Sequence, residues 1–353
     1  MKRTIDSKSE SPDGREAQAR QLALEGREAE TQGALGDSLT KLEAAISLLP
    51  DSEPSPLRVD VLRWLGTTRR ELGQTAAAEF HYQESRASAL ELGYEAGEAH
   101  ALNCLAIIAQ RRGDVEGAQG LYRQAARRAN RAGEHRLAGM VEQNLGVLAN
   151  IQGDLDGALV RYRASLRQFE EGEFQEGMSW VLNNLGMLHT DLEKYQEAEQ
   201  YFLRALEIAR NQKDLHTQAL LESNLAEVYI SLEQWSDAEL HVSGTLTIAE
   251  ERGDPLRRAD GLKFLGMIQR AKGEFSIATQ TLTEAYKLAE ESEDVLLTAE
   301  AARELGETHA QAREFERARE FFERANKLFT EMNASLDATA VQERLDQVLS
   351  EAR

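Results

Sequence analysis

The sequence predicts an all-α protein, an α-solenoid of stacked antiparallel helix pairs, and three observations carry that prediction. Four residue columns recur every forty positions through most of the 353 residues. Helix breakers are scarce: there are five prolines, and three of them fall between positions 50 and 56. Glycines recur in one column where a helix would have to stop and reverse. A self-similar period of this length signals stacked supersecondary units, which bury their apolar faces against one another.

The elements follow in chain order. Residues 1–13 are rich in Lys, Ser and Glu and lack an apolar run, so they are expected to form a disordered tail and not a signal peptide. Residues 14–56 hold a degenerate unit. Gly33 and Leu42 fall in the turn and aromatic columns, but Glu25-Gly26 replaces the Leu-Gly marker and Ser38 replaces Ala. The loop 50–56, with Pro50, Pro54 and Pro56, then sets this unit apart as an N-terminal cap. Residues 334–353 form a final helix, which either covers the last repeat or begins a connection.

Between these ends, residues 57–333 contain seven regular units. The marker runs Leu65-Gly66, Leu105-Ala106, Leu145-Gly146, Leu185-Gly186, Leu225-Ala226, Leu265-Gly266 and Leu305-Gly306. A second column is invariantly alanine, from Ala78 and Ala118 to Ala318. Four positions on come Tyr82, Tyr122, Tyr162, Phe202, Val242, Leu282 and Phe322. Three further on stand Ser85, Ala125, Ser165, Ala205, Thr245, Ala285 and Ala325. Spacings of four and three place Ala, aromatic and small residue on one face of a second helix. Gly or Ala after the Leu lets that helix approach the first. The turn between them carries Gly73, Gly113, Gly153 and Gly273, suited to the left-handed conformation. Glu193, Glu233 and Arg313 occupy the same column, so the left-handed conformation is not expected to be obligatory there.

Leu-Gly, Ala, aromatic and Ala at these spacings resemble the tetratricopeptide repeat, over about residues 14–332. The forty-residue period resembles the Pins/LGN and kinesin-light-chain branch and bacterial regulators with similar arrays. The resemblance implies a right-handed superhelix whose first helices line a concave face and whose second helices form the convex one. The six residues beyond the usual thirty-four would lengthen each helix by about 4.5 Å.

Charge and composition narrow the function. Sixty-one acidic against 41 basic residues give a net charge of −20, which argues against a phosphate backbone or an anionic membrane as partner. No stretch approaches the ~20 apolar residues of a membrane span. With Cys104 as its single cysteine, the chain has no internal disulfide and no cysteine cluster for zinc. These features predict a cytoplasmic protein. No phosphate loop, dinucleotide fingerprint, zinc-protease motif or nucleophile elbow is present, and the seven histidines are not paired at metal-ligand spacing. The expectation is a protein that is not an enzyme, with no catalytic residues, no metal and no cofactor.

Carried over by alignment to the Leu-Gly marker, the groove-facing positions are five, two and one before the Leu and two after it. The candidate ligand-binding residues are Asn103, Ile107, Met140, Asn144, Trp180, Asn183, Asn184, Met187, Asn224, Phe264 and Met267. Asn144, Asn184 and Asn224 form a ladder of one carboxamide per repeat. A carboxamide donates and accepts, which suits the backbone of an extended peptide, and the resemblance implies that role. Two readings stand side by side: the ladder contacts a ligand, or it ties neighbouring repeats together. Trp180 likewise has a packing reading. The last groove positions, Glu300, Glu304 and Glu307, with Glu227 and Asp260 earlier, suggest a ligand with basic residues, although Arg270 and Arg303 would neutralise part of that charge. Arg111, Arg112, Arg123, Arg127, Arg128, Arg131 and Arg136 make a basic island that reads first as a solvated convex face. The expected function is a protein-interaction adaptor that binds an extended peptide of a partner on the concave face. The alternative is a sensory module of a larger signalling or transcription regulator.

Overall fold

The computed structural model describes residues 12–50 and 53–351, and every regular element among them is an α-helix. The expected tail therefore lies, up to residue 11, outside the described residues. Contacts divide the chain into two compact units, Met1–Gly177 and Met178–Arg353. The first contains α1 (Pro12–Thr31), α2 (Leu35–Ser47), α3 (Pro56–Glu71), α4 (Thr75–Leu92), α5 (Glu95–Arg111), α6 (Val115–Ala132), α7 (His135–Ile151) and α8 (Leu155–Glu171). The boundary falls inside α9 (Gln175–Asp191). The second continues with α10 (Tyr195–Gln212), α11 (Leu215–Ser231), α12 (Trp235–Arg252), α13 (Pro255–Ala271), α14 (Phe275–Glu291), α15 (Val295–Gln311), α16 (Phe315–Glu331) and α17 (Ser335–Glu351).

Within each unit the helices pack as antiparallel pairs, odd with following even, and each pair stacks on the next. The marker column explains the pairing. A Cβ built on Gly66 would lie 2.5 Å from the Tyr82 ring, and one on Gly146 would lie 2.5 Å from the Tyr162 ring. Gly186 stands in the same relation to Phe202, and Gly306 to Phe322. The aromatic column thus fills the space that the missing side chain leaves. Tyr82, Tyr122, Phe202 and Phe322 are buried almost completely, each contributing about 1.5–3 kcal/mol of apolar burial. Gly26 and Leu42 reproduce this contact in the first pair, and Ser38 there bonds the Thr68 hydroxyl at 3.0 Å. At the other end α17 packs on α16, with Val341, Leu345 and Val348 in one core with Phe322 and Phe329.

The turns correct one expectation. Fifteen described residues have positive φ, and they fall twenty positions apart from Gly33 to Asn333, with position 53 alone skipped. Glu193, Glu233 and Arg313 are among them, with φ of 56°, 57° and 61°. The left-handed conformation is therefore kept where glycine is absent. The reason is the closure of the turn. The Lys194 N–H donates to the His189 carbonyl at 2.8 Å, as the Asp114 N–H does to that of Ala109 at 3.0 Å. That bond requires a left-handed residue between helix and turn, whatever its side chain.

Each unit also has a tighter and a looser side. Successive odd helices touch one another, α1 on α3, α3 on α5 and α5 on α7, then α11 on α13 and α13 on α15. Successive even helices do not approach as closely. The odd helices therefore form the inner layer of each unit, and within a unit their outward residues share one face.

Candidate functional site

The candidate residues lie on the odd-helix face of each unit, on α5 and α7 in the first and on α9, α11 and α13 in the second. In the first unit the Asn144 Nδ2 donates to the Asn103 Oδ1 at 3.1 Å. In the second the Asn224 Nδ2 donates to the Asn183 Oδ1 at 2.8 Å. Both bonds link positions 41 residues apart and so tie one repeat to the next. Asn183 also donates to the Met187 sulfur at 3.4 Å. The side chain of Asn184 makes no hydrogen bond among the described residues.

Each carboxamide bond leaves groups to spare. A carboxamide has two N–H donors and an oxygen with two lone pairs. Asn144 and Asn224 use one donor each, so their oxygens and second N–H groups stay available. The inter-repeat bond fixes the rotamer that presents them; the packing reading thus holds for Asn144 and Asn224, while Asn184 makes no such bond among the described residues.

The apolar candidates divide by exposure. Trp180 is 37% exposed, Met140 37% and Met187 50%. Trp180, Asn183, Asn184 and Met187 occupy successive turns of α9. Met267 is half-buried, and Ile107 is half-buried against the core around Tyr122. Phe264 is only 6% exposed, and the Lys263 ammonium sits 4.3 Å from its ring centroid, so little of the ring is open to a ligand.

The acidic end is largely spent on internal pairs. Lys263, itself buried, lies 3.1 Å from Asp260 and 2.7 Å from Glu300. Burial alone would lower its pKa, but the two carboxylates more than reverse this and hold the ammonium charged. Asp260 also accepts from the Ser223 hydroxyl at 2.7 Å. Glu304 lies 2.7 Å from Arg270 and 3.2 Å from Arg303, and Glu307 is held by Arg344 at 2.6 Å. Of the five expected carboxylates, Glu227 alone has no ion pair among the described residues, so the expected preference for basic ligands loses most of its charge. Single-column reading missed the Lys263 hub because its partners lie on a diagonal, Asp260 three residues before it and Glu300 thirty-seven after.

On the odd-helix face of the first unit Trp64 is flanked by two guanidinium groups, Arg27 at 5.6 Å and Arg63 at 5.5 Å from its ring. His100 follows on α5. Burial and then the Arg63 charge push its pKa down to about 3. The remaining chemistry-bearing groups are packed. His189 is buried, its Nδ1 2.8 Å from the Leu185 carbonyl oxygen, and burial pushes the Cys104 thiol pKa up, away from a reactive thiolate. Among the described residues no group of three His, Cys, Asp or Glu is placed to hold a metal ion, and no helix is long and apolar enough to cross a membrane.

Comparison with known proteins places this geometry in context. A family model described as tetratricopeptide repeat matches residues 97–171 and 177–251, and a second of the same description matches 265–330. No curated protein matches the chain in sequence. Among solved structures, BtubC (BKLC) from P. vanneervenii is 25% identical, with 61% of this chain and 91% of that one covered at a TM-score of 0.54. The apo quorum sensor NprR from B. thuringiensis is 18% identical, with 89% and 88% covered at a TM-score of 0.68. The Rap conjugation gene regulator of plasmid pLS20, solved in complex with a peptide, is 16% identical, with 82% and 80% covered at 0.52.

Proposed function

The chain belongs to the tetratricopeptide repeat family, and from that premise we propose that it captures an extended peptide of a partner protein on its odd-helix face. The supporting observation is the cluster on α9. Exposed Trp180 and Met187 flank Asn183 and Asn184, and Asn183 is fixed by its bond from Asn224. Fixed carboxamides bind peptide backbone without losing side-chain freedom on association. Tryptophan and methionine accept varied side chains between them. The Asn144–Asn103 pair offers the same chemistry in the first unit, with Met140 beside it.

Selection from a displayed peptide library, followed by fluorescence titration of a selected peptide, tests this reading. Asn184→Ala removes a carboxamide with no intramolecular bond. Affinity should fall about five- to thirty-fold while the melting temperature stays put. Asn224→Ala also breaks an inter-repeat bond and should lower stability by about 1 kcal/mol as well. A library that yields no binders sensitive to Asn184→Ala or Met187→Ala would sink the proposal.

A sensory module is the second reading, in which the bound peptide biases an attached output. It draws support from the fold match to a quorum sensor along most of both chains. Peptide-dependent change in small-angle scattering would favour it over a passive adaptor.

A further inference from the structure

The basic island of the sequence resolves into a groove on the even-helix side of the first unit. The groove runs between α6 and α8 and is floored by α7. One cavity of about 410 Å³ is lined by Arg123, Arg127 and Asn130 of α6, Arg161 of α8, and the apolar Ala126 and Leu145. A second, of about 330 Å³, shares Arg123, Leu145 and Arg161 with the first and continues toward Asp154 and Asp156. We propose that this groove is a binding surface for an acidic segment of a partner protein, in which a carboxylate meets the arginines and a neighbouring aliphatic side chain meets Leu145.

Pairing divides the arginines of the island, and the cavity gathers the unpaired Arg123 and Arg127 on one apolar floor. Arg112, Arg128 and Arg131 of the same island each have a carboxylate partner: Glu79 at 2.6 Å, Glu98 at 3.0 Å and Glu95 at 3.8 Å respectively. Arg123 and Arg127, like Arg111, are exposed and have none among the described residues, although the chain has twenty more acidic than basic side chains. Across the groove Arg161 is held by Glu142 at 3.0 Å. Glu142 is the one carboxylate in the first cavity, so three guanidinium groups surround a single compensating charge. A guanidinium fork matches a carboxylate with two parallel hydrogen bonds, and an apolar floor strengthens them by excluding water.

The second unit supplies an internal control. The same groove recurs there along α12 and α13 with a cavity of about 450 Å³. At the positions 120 residues on from Arg123, Arg127 and Glu142 it carries Ser243, Thr247 and Leu262. The repeat architecture therefore builds the groove without needing arginine in it. Forty residues on, Arg163 and Arg167 of α8 repeat the Arg123 and Arg127 pair, so the charge belongs to these two neighbouring repeats and not to the groove wherever it recurs.

The shape of the site selects the class of partner. No aromatic side chain lines either cavity, so base stacking has no platform. Asp154 and Asp156 at the far end would repel a continuous phosphate backbone, while a short acidic segment can end before them.

Fluorescence anisotropy with a fluorescein-labelled hexaglutamate peptide at low ionic strength tests the proposal on the full chain. Saturable binding is expected with half-saturation below about 1 mM, weakening as salt is raised. The double variant Arg123→Gln/Arg127→Gln should weaken it on the order of tenfold, with an unchanged melting curve because neither side chain is paired. Ser243→Ala/Thr247→Ala and Asn184→Ala should leave it intact, which separates this surface from the odd-helix face. Should the double variant misfold, Arg127→Gln alone is expected to weaken binding about threefold. Absence of saturable binding, or equal affinity in the arginine variant, overturns the proposal. So does binding of an oligothymidylate or of phosphatidylserine vesicles through the same arginines without competition from the peptide. Reversible dimerisation in sedimentation velocity that is lost in the arginine variant would assign the groove to a second copy of this chain instead.

Discussion

Replacing the left-handed glutamates by glycine should stabilise the protein, and the amount can be worked from the turn geometry. Glu193 and Glu233 hold φ of 56° and 57°, where an L-residue costs about 1–2 kcal/mol. Both side chains are exposed and make no ion pair or hydrogen bond among the described residues, so their removal forfeits no contact. Glycine relieves the strain but adds freedom to the unfolded chain, costing back about 0.5–1 kcal/mol. The net expectation is about 0.5–1 kcal/mol of added stability for Glu193→Gly and the same for Glu233→Gly. The two sites share no partner, so the double variant should come close to the sum. The converse change is Gly113→Ala. Its φ is 79° and a Cβ there would meet nothing within 4 Å, so the penalty of about 1 kcal/mol is pure backbone strain. Urea denaturation followed by circular dichroism measures all four proteins. Glutamate variants that are neutral or less stable than the parent would refute the argument that the closing bond, and not the residue, dictates this conformation.

Two further outcomes follow from the packing and the charge. Gly186→Leu puts a side chain where the Phe202 ring already sits and should cost about 1–3 kcal/mol by overpacking, even after the ~1 kcal/mol gained in helix propensity; an unchanged thermal melt would misplace the helix contact. His100 has its pKa lowered from 6.5 to about 3 in the folded state, so the unfolded chain binds the extra proton between those values. The stability associated with neutral His100 is complete above pH 6.5 and is lost as pH falls toward 3. His100→Gln should therefore lose less stability than the parent between pH 6.5 and 4, by about 1 kcal/mol one pH unit below 6.5; parallel pH profiles would exclude burial of a neutral imidazole.

Much of the fold was legible because volume is conserved within a column. The glycine after the leucine and the ring sixteen residues later are one contact, so a forty-residue period in either predicts the pair. The turns were less legible, since Glu193 and Arg313 hide a conformation that Gly113 advertises. Their φ is dictated by the carbonyl that the next N–H must reach, and no side-chain preference records that bond. Compensation between columns was also hidden. Phe169 stands where the neighbouring repeats have Ala129 and Ala209, and its ring occupies the space beside Gly139 and Gly177. The candidate residues fall on the odd helices, where alignment to the Leu-Gly marker puts them. Bonding between repeats was one of the two readings of the ladder, but the partners were hidden because they lie on diagonals of 41 and 37 residues, which columns taken one at a time do not show.

Those diagonals bear on how binding and stability are coupled. The stability of a repeat array is close to a sum of unit terms and nearest-neighbour interface terms. The Asn224–Asn183 bond, the Ser223–Asp260 bond and the Lys263–Glu300 pair all belong to the interface terms, and all lie on the odd-helix face. A peptide that engages the spare donors of Asn224 and Asn183 spans the same junction, so its binding energy adds to that interface and not to either helix pair alone. Ligand binding should then protect amide hydrogens of α9 and α11 more than those of α15, which lies two repeats away from the junction. The ion-paired end from Asp260 to Glu307 already has its interfaces closed by internal charges and offers a ligand little to complete. The carboxamide end is closed by single neutral bonds with valences to spare. That asymmetry, and not total charge, is the physical reason to look for the peptide around α9.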